Sequence, residues 1–176
     1  FHEQLPASLL DAGADLVVQS WHKTLPVLTQ GSALLVNKNY TGTSPEHFLS
    51  LLQTTSPSYL IMASLEAGSI YMGTDSHAHI QSALQAIFSL HRRIEETLDT
   101  LHVLWKPEWK QDPFKLYLTS DVLSGAEMDE YLRVNHALYS EMQDNHGILF
   151  ILPIQTDHAW CEKLYSAFLA LDAYSK

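Results

Sequence analysis

One segment, residues 19–30, constrains the fold of this chain more than any other. It joins two short apolar runs, residues 15–19 and 33–36, which predict a buried strand and its neighbour. A loop that is held between two strands can shield its side chains partly from water and aim them. The sequence therefore predicts that this loop presents functional groups.

The loop carries three side chains with useful chemistry, Ser20, His22 and Lys23. A lysine at the end of a buried strand can keep a neutral amine, which can attack a carbonyl to form a Schiff base. A serine hydroxyl can bind phosphate, and a histidine can stack on a cofactor ring or hydrogen-bond to it. Structural interpretations are open for all three: a solvated lysine, a serine bonded to nearby backbone and a histidine that shapes the loop.

The order of these residues resembles a known motif. Ser20-x-His22-Lys23-Thr24, with Gln30 downstream, is similar to the pyridoxal-phosphate lysine motif of the ornithine/lysine/arginine decarboxylase family of fold type I enzymes. The resemblance covers nearly the whole chain, but only the carboxyl-terminal half of a family member. Further segments match family landmarks in order and approximate spacing, at residues 13–15, 54–59, 112–116, 139–144 and 148–152.

The resemblance implies a fold and a domain division. Residues 1–104 are expected to form the carboxyl-terminal part of the large, cofactor-binding domain of a fold type I enzyme, and residues 105–176 a small carboxyl-terminal α/β domain. A regular apolar seam predicts one long helix over residues 76–102, which resembles the helix that connects the two domains in such enzymes. The seam is formed by Ile80, Leu84, Ile87, His91, Ile94, Leu98 and Leu101, with the histidine interpreted as structural.

The resemblance also implies site residues. Lys23 is expected to be catalytic and to hold pyridoxal 5'-phosphate as a Schiff base, while His22 lies against the cofactor or guides proton transfer. Ser20 is expected to bind the cofactor phosphate. Thr54 is expected to reach the phosphate of the neighbouring subunit, which implies a homodimer or a higher homo-oligomer. Glu141 is a candidate to meet the distal ammonium or guanidinium of the substrate, with a solvated surface residue as the alternative.

Capping patterns predict the remaining elements. Ser44-Pro45 and Ser56-Pro57 each predict a helix start, and the second would make residues 53–55 favourable for an anion. The other predicted elements are a turn and short helix within residues 1–11, a strand over 114–120, a helix from the capping box Ser124–Glu127 to about residue 142, a strand over 148–154 and a last helix after Asp157.

The acidic composition narrows the function classes. A formal net charge of −10 disfavours a nucleic-acid or anionic-membrane surface and is compatible with a cationic substrate. One cysteine, Cys161, excludes an intrachain disulfide framework, and the 10 histidines form no zinc motif with a nearby third ligand, so no metal is expected. No apolar run approaches membrane-spanning length. These features predict a cytoplasmic protein.

The expected activity is pyridoxal-phosphate-dependent decarboxylation of arginine, lysine or ornithine by the intact protein, with the choice among the three left open. In the family, the acid that faces the pyridine nitrogen lies amino-terminal to the lysine, in a part of the protein that precedes this chain. The missing amino-terminal portion is therefore an expected partner, and the chain alone is not expected to catalyse. Two alternatives are another fold type I lyase and a catalytically silent paralogue with a binding or regulatory role.

Overall fold

The structure is a computed structural model that describes residues 2–176. The chain divides into two compact units, one of them Ala7–Thr74 and the other Asp75–Lys176 together with the residues up to Pro6. The division precedes the long helix, which therefore groups with the carboxyl-terminal part of this chain. The predicted domain boundary after residue 104 concerns the whole protein and stays a prediction.

The first unit contains two strands and three helices. Strand β1, Leu16–Gln19, pairs antiparallel with β2, Ala33–Val36, which confirms the predicted neighbours. Of the four described residues of β1, Val17 alone is buried, so the prediction of a buried strand is wrong for this chain. The reason is that β1 is paired along one edge only, with β2, and no third described strand lies in this sheet.

The helices of this unit are α1, Trp21–Thr24, α2, Pro45–Leu52, and α3, Tyr59–Thr74. Ser44 caps α2 by accepting a hydrogen bond from the backbone N–H of Glu46, as predicted. The predicted start at Ser56-Pro57 is wrong, because α3 begins at Tyr59. The hydroxyl of Ser58 accepts from the backbone N–H of Ile61, at 3.5 Å, and so serves the first turn of α3 instead.

The second unit begins with the long helix α4, Ser76–Thr97. Its apolar seam is buried as predicted, and His91 is buried with it. The helix ends five residues before the predicted residue 102, because the backbone N–H groups of Asp99 and Thr100 donate to the carboxylate of Asp172. The chain then enters strand β3, Leu101–Val103.

A four-stranded antiparallel sheet forms the centre of this unit, in the order β3-β4-β6-β5. Strand β4, Lys115–Ser120, confirms the predicted strand, and a short 3-10 turn at Pro107–Trp109 precedes it. Strand β6, Gly147–Ile151, ends before the predicted residue 154. The edge strand β5, Met142–Gln143, occupies a stretch that had been predicted to end a helix.

Two helices complete the unit. Helix α5, Gly125–His136, starts with the predicted capping box, but it ends before residue 142 because Ala137 takes a left-handed conformation with φ 51°. Helix α6, His158–Tyr174, begins as predicted, with the Asp157 side chain accepting from the backbone N–H of Trp160. Helix α6 packs against α4 and α5, and the core includes Phe168, Leu132, Leu116 and Ile148.

The amino-terminal stretch forms turns, so the short helix predicted within residues 1–11 is wrong where the structure describes it; Phe1 lies outside the described residues. Gly13 takes φ 99°, a left-handed conformation that suits the chain reversal before β1. Among the described residues, no helix has the length and apolar character needed to cross a membrane.

Candidate functional site

Lys23 lies on a single helical turn at the end of β1. The turn is closed by two backbone hydrogen bonds, from the N–H of Lys23 to the carbonyl of Ser20 at 3.2 Å and from the N–H of Leu25 to the carbonyl of Trp21 at 2.7 Å. Because a helical turn fixes the direction of each Cβ, the sequence Ser-Trp-His-Lys is presented in one defined arrangement. The predicted loop is thus an ordered turn.

His22 is held by the carbonyl of Gly31 through two hydrogen bonds. The backbone N–H of His22 donates to it at 3.1 Å, and the ring nitrogen Nδ1 donates to it at 2.9 Å. A carbonyl oxygen can only accept, so Nδ1 carries the hydrogen, and in the neutral ring Nε2 is the nitrogen with the lone pair. The structure therefore fixes both the orientation and the tautomer of the neutral His22 ring.

Ser20 precedes the turn and is exposed. Within the described residues, its side chain makes no hydrogen bond that caps α1. The neighbouring Trp21 bonds back to the strand, with Nε1 donating to Oε1 of Gln19 at 3.1 Å. The hydroxyl of Ser20 is thus not used to start the turn.

Lys23 itself is exposed in this structure. Partial desolvation had been expected from its place at the end of a buried strand. The described residues of the first unit do not supply that desolvation, because β1 is itself largely exposed. The amine of Lys23 is presented by the turn rather than enclosed by it.

The stretch that follows the turn is ordered by helix α3. The backbone N–H of Leu28 donates to the hydroxyl of Ser64 at 3.2 Å, Gln30 takes a left-handed φ of 77°, and Gly31 is buried. Gly68 of α3 faces Val27. The part played by α3 was not predicted from the sequence. The signal that could have indicated it is a glycine inside a helix, which is destabilising unless another group approaches closely.

Thr54 lies in the exposed loop between α2 and α3. Its hydroxyl accepts a hydrogen bond from the backbone N–H of Ser56 at 3.2 Å, which is a local turn contact. Since α3 begins at Tyr59, residues 53–55 do not directly precede its first turn, and the predicted anion-favouring helix start is displaced from them. The cross-subunit role of Thr54 stays a prediction.

Glu141 belongs to the second unit and is exposed. It had been interpreted as lying at the end of a helix. Instead, its backbone N–H donates to the carbonyl of Leu149 at 2.7 Å, beside the pairing of β5 with β6. Its proposed contact with substrate stays a prediction.

The nearby Asp144 has a structural role. Its carboxylate accepts hydrogen bonds from the hydroxyl of Tyr117, at 2.7 and 2.8 Å, and from the backbone N–H groups of His146 and Gly147. The bond from Tyr117 contributes most to lowering the pKa of Asp144, and burial together with this bond raises the pKa of Tyr117 to about 12. Asp144 therefore fixes the turn between β5 and β6.

No cluster of three or more metal-ligating side chains lies among residues 2–176. Comparison with known proteins connects the chain to a family. The sequence model for the major domain of Orn/Lys/Arg decarboxylases matches residues 1–119.

The chain belongs to the Orn/Lys/Arg decarboxylase family.

Three similar proteins illustrate this membership. The chain is 35% identical over 161 residues to the uncharacterised protein YaaO of Bacillus subtilis. These residues cover 86% of this chain and 32% of that protein. It is 27% identical over 185 residues to an arginine decarboxylase of Bacillus cereus, covering 98% of this chain and 39% of that enzyme. A lysine decarboxylase of Francisella novicida has the same fold, with a TM-score of 0.72 at 19% identity over 90% of this chain and 28% of that one.

The chain therefore spans between 32% and 39% of the length of these two curated relatives. Its mixed α/β architecture is that of the lysine decarboxylase structure, and the family resemblance inferred from the motif around Lys23 is confirmed. The arrangement of the two units in a whole fold type I enzyme stays a prediction.

Proposed function

We propose that the full-length protein decarboxylates a basic amino acid, arginine, lysine or ornithine, with pyridoxal 5'-phosphate bound at Lys23. The observation that supports this most strongly is the combination of the family match over residues 1–119 with an ordered turn that carries the family motif. A net charge of −10 agrees with a cationic substrate. We further propose a cytoplasmic protein of which this chain is one part.

The residues of the turn fit such a cofactor by their chemistry. Lys23 supplies an amine that can join the cofactor aldehyde, Ser20 a hydroxyl not used for capping within the described residues, and His22 a ring of fixed orientation. When bound, the cofactor accepts into its pyridinium ring the electron pair that remains as the substrate carboxylate leaves as carbon dioxide. Lys23 would hold the cofactor through its amine.

His22 handles a proton at Nε2. The bond from Nδ1 to the carbonyl of Gly31 commits the other ring nitrogen to accept or return a proton. The same bond holds the ring in place while the proton moves. The orientation of the His22 ring is therefore already set before each proton transfer. In this proposal, His22 serves proton transfer at the site, and Gly31 orients it.

Ser20 and Thr54 are proposed to bind phosphate oxygens, Thr54 from the neighbouring subunit of a homodimer or a higher homo-oligomer. Both side chains are exposed on loops of the first unit, as a phosphate ligand must be before assembly. Glu141 of the second unit is proposed to meet the distal cationic group of the substrate. Its backbone bond to Leu149 ties it to the edge of the sheet.

The experiment is a carbon dioxide release assay on the full-length protein with each of the three basic amino acids. Lys23→Ala is expected to lower kcat by at least about 10³-fold, as removal of a covalent catalytic group does. Lys38→Ala is the matched control, because Lys38 is an exposed lysine just after β2, and it should stay within about twofold of wild type. If wild-type protein releases no carbon dioxide from any of the three, another lyase activity or a silent paralogue takes the place of this proposal.

A further inference from the structure

We propose that helix α3 is a positioning element for the Lys23 turn, with Ser64 and Gly68 as positioning residues. They act through the anchor loop, residues 26–31, which follows the turn and returns to His22. The inference rests on the proposed function of Lys23. Its structural basis is a continuous series of contacts within the first unit, from α3 to the anchor loop, from the loop to His22, and from His22 to Lys23 along the chain.

The first contact is made by the hydroxyl of Ser64. It donates to the carbonyl of Ile61 in its own helix at 2.9 Å and accepts from the backbone N–H of Leu28 at 3.2 Å. A hydroxyl has a single hydrogen, and because that hydrogen is used on Ile61, the lone pairs are directed away from it and toward Leu28. Ser64 thus fastens the middle of the anchor loop to α3.

The second contact is the close approach of Val27 to Gly68. Gly68 is buried, and a Cβ placed on it would overlap Cγ1 of Val27, so the valine occupies the space that any larger residue at this position would need. Another glycine of the same helix, Gly73, has nothing within 4 Å of such a Cβ. The requirement for glycine at position 68 therefore comes from the anchor loop and not from the helix.

The third contact is made by Gly31, which connects the packing against α3 to His22. A Cβ on Gly31 would lie 3.1 Å from Cδ2 of Leu65 and 3.2 Å from Cγ2 of Val27, so Gly31, the last residue of the anchor loop, is packed against both α3 and Val27. Its carbonyl is the acceptor for both the backbone N–H and Nδ1 of His22. A displacement of Val27 therefore shifts the group that orients His22, and Lys23 is the next residue along the chain.

The test compares Gly68→Ala with Gly73→Ala in the full-length protein. We expect Gly68→Ala to raise amide hydrogen exchange in residues 20–31 at least several-fold and to lower kcat on the order of 10²-fold, with KM within about twofold, because small displacements of reacting groups cost rate more than binding. Gly73→Ala should match wild type in exchange, kcat and KM. The double variant Val27→Ala/Gly68→Ala removes the overlapping methyl groups and should restore kcat to within about threefold of Val27→Ala alone.

A second pair of variants covers the case in which Gly68→Ala does not fold. Ser64→Ala removes the acceptor for Leu28 and should raise exchange in residues 20–31, whereas Ser69→Ala, at an exposed position on the same helix, should not. Equal exchange of residues 20–31 in both members of each pair would overturn the inference. So would a double variant as impaired as Gly68→Ala.

The exchange measurement needs no bound cofactor, so it separates this inference from the proposed function. Wild-type protein in which borohydride reduction in the presence of pyridoxal 5'-phosphate never labels Lys23 would refute the proposed function, whatever the exchange of residues 20–31. Labelled wild-type protein in which Gly68→Ala and Gly73→Ala behave alike would refute the positioning role alone.

Discussion

The buried carboxylate of Asp172 accepts hydrogen bonds from both the backbone N–H and the hydroxyl of Thr100, each at 2.8 Å. It also accepts from the N–H of Asp99 and pairs with Lys176 at 2.9 Å. The Asp172 side chain of α6 thus provides the hydrogen-bond acceptor for the turn between α4 and β3. Burial by itself would raise the pKa of Asp172, but the bonds from Lys176 and Thr100 outweigh burial and hold the pKa below its usual value.

Asp172→Ala is therefore expected to lower the free energy of unfolding by about 3 kcal/mol, because two backbone N–H groups and the hydroxyl of Thr100 lose a charged acceptor. Asp172→Asn should cost less, since an amide oxygen can still accept, and Glu130→Ala, at an exposed position on α5, should stay within about 0.5 kcal/mol. Because the folded-state pKa is depressed, this stabilisation is present above the unfolded pKa and is lost as pH falls through the folded pKa. Thermal unfolding of the full-length variants measures all three. Equal midpoints for Asp172→Ala and Glu130→Ala would contradict the assigned role.

The burial of His91 predicts a second pH dependence of stability, over a different pH range. It is buried in contact with the rings of Phe88 and Trp105, and within residues 2–176 neither of its ring nitrogens has a hydrogen-bond partner. Burial lowers its pKa from 6.5 to about 4. The unfolded chain then binds a proton between these two values while the folded chain does not, so stability falls as pH falls from about 6.5 to 4, by about 3 kcal/mol in all.

His91→Phe should remove this loss while His47→Phe, at an exposed position on α2, should keep it. The measurement is the unfolding midpoint of the full-length variants between pH 7.5 and 4.5. Exchange at the imidazole C2 position, followed by mass spectrometry, gives the pKa of His91 directly. A value near that of an exposed histidine would show that His91 is hydrated in solution.

His22 is assigned two functions, the hydrogen bond from Nδ1 to the carbonyl of Gly31 and proton transfer at Nε2. Substitution can separate them. Asparagine can place an amide N–H near the position of Nδ1 and keep the bond to Gly31, but it offers nothing in place of Nε2. His22→Asn should therefore leave the hydrogen exchange of residues 20–31 close to wild type and lower kcat by about 10²- to 10⁴-fold, the usual range for loss of an acid-base group. His22→Leu should disturb both. If His22→Asn retains full activity, proton transfer at Nε2 is not required.

Ala137 offers a stabilising substitution. It ends α5 with φ 51° and ψ 33°, where a Cβ is unfavourable and glycine is preferred. Ala137→Gly is expected to stabilise the protein by about 0.5–1 kcal/mol, whereas Ala173→Gly, at an exposed position within α6, should destabilise it by up to about 1 kcal/mol. Opposite shifts of the unfolding midpoint confirm the assignment. A loss of stability with Ala137→Gly contradicts it.

Local signals in the sequence predicted local structure well. The caps at Ser44, Ser124 and Asp157 start the helices that they were expected to start, because a capping side chain bonds to backbone only two or three residues away. The apolar seam through Ile94 predicted a buried face on α4 for the same reason, since it depends on helical period alone.

The predictions fail where a residue far away in the sequence determines the local structure. The end of α4 depends on Asp172, about 70 residues later in the chain, and the end of α5 on a left-handed alanine that no propensity favours. The order of the Lys23 turn depends on Ser64 and Gly68, whose importance appears only when α3 is seen beside the anchor loop. The motif could be found from sequence, but the contacts that hold it could not.

Covalent labelling gives the sharpest test of the proposal that Lys23 holds the cofactor. The full-length protein is incubated with pyridoxal 5'-phosphate, treated with borohydride, digested and analysed by peptide mapping, with absorbance recorded before and after reduction. The account predicts an irreversible label on the peptide that contains Lys23, and no such label in Lys23→Ala. A folded protein that takes up no cofactor, or is labelled only at other lysines, would contradict it.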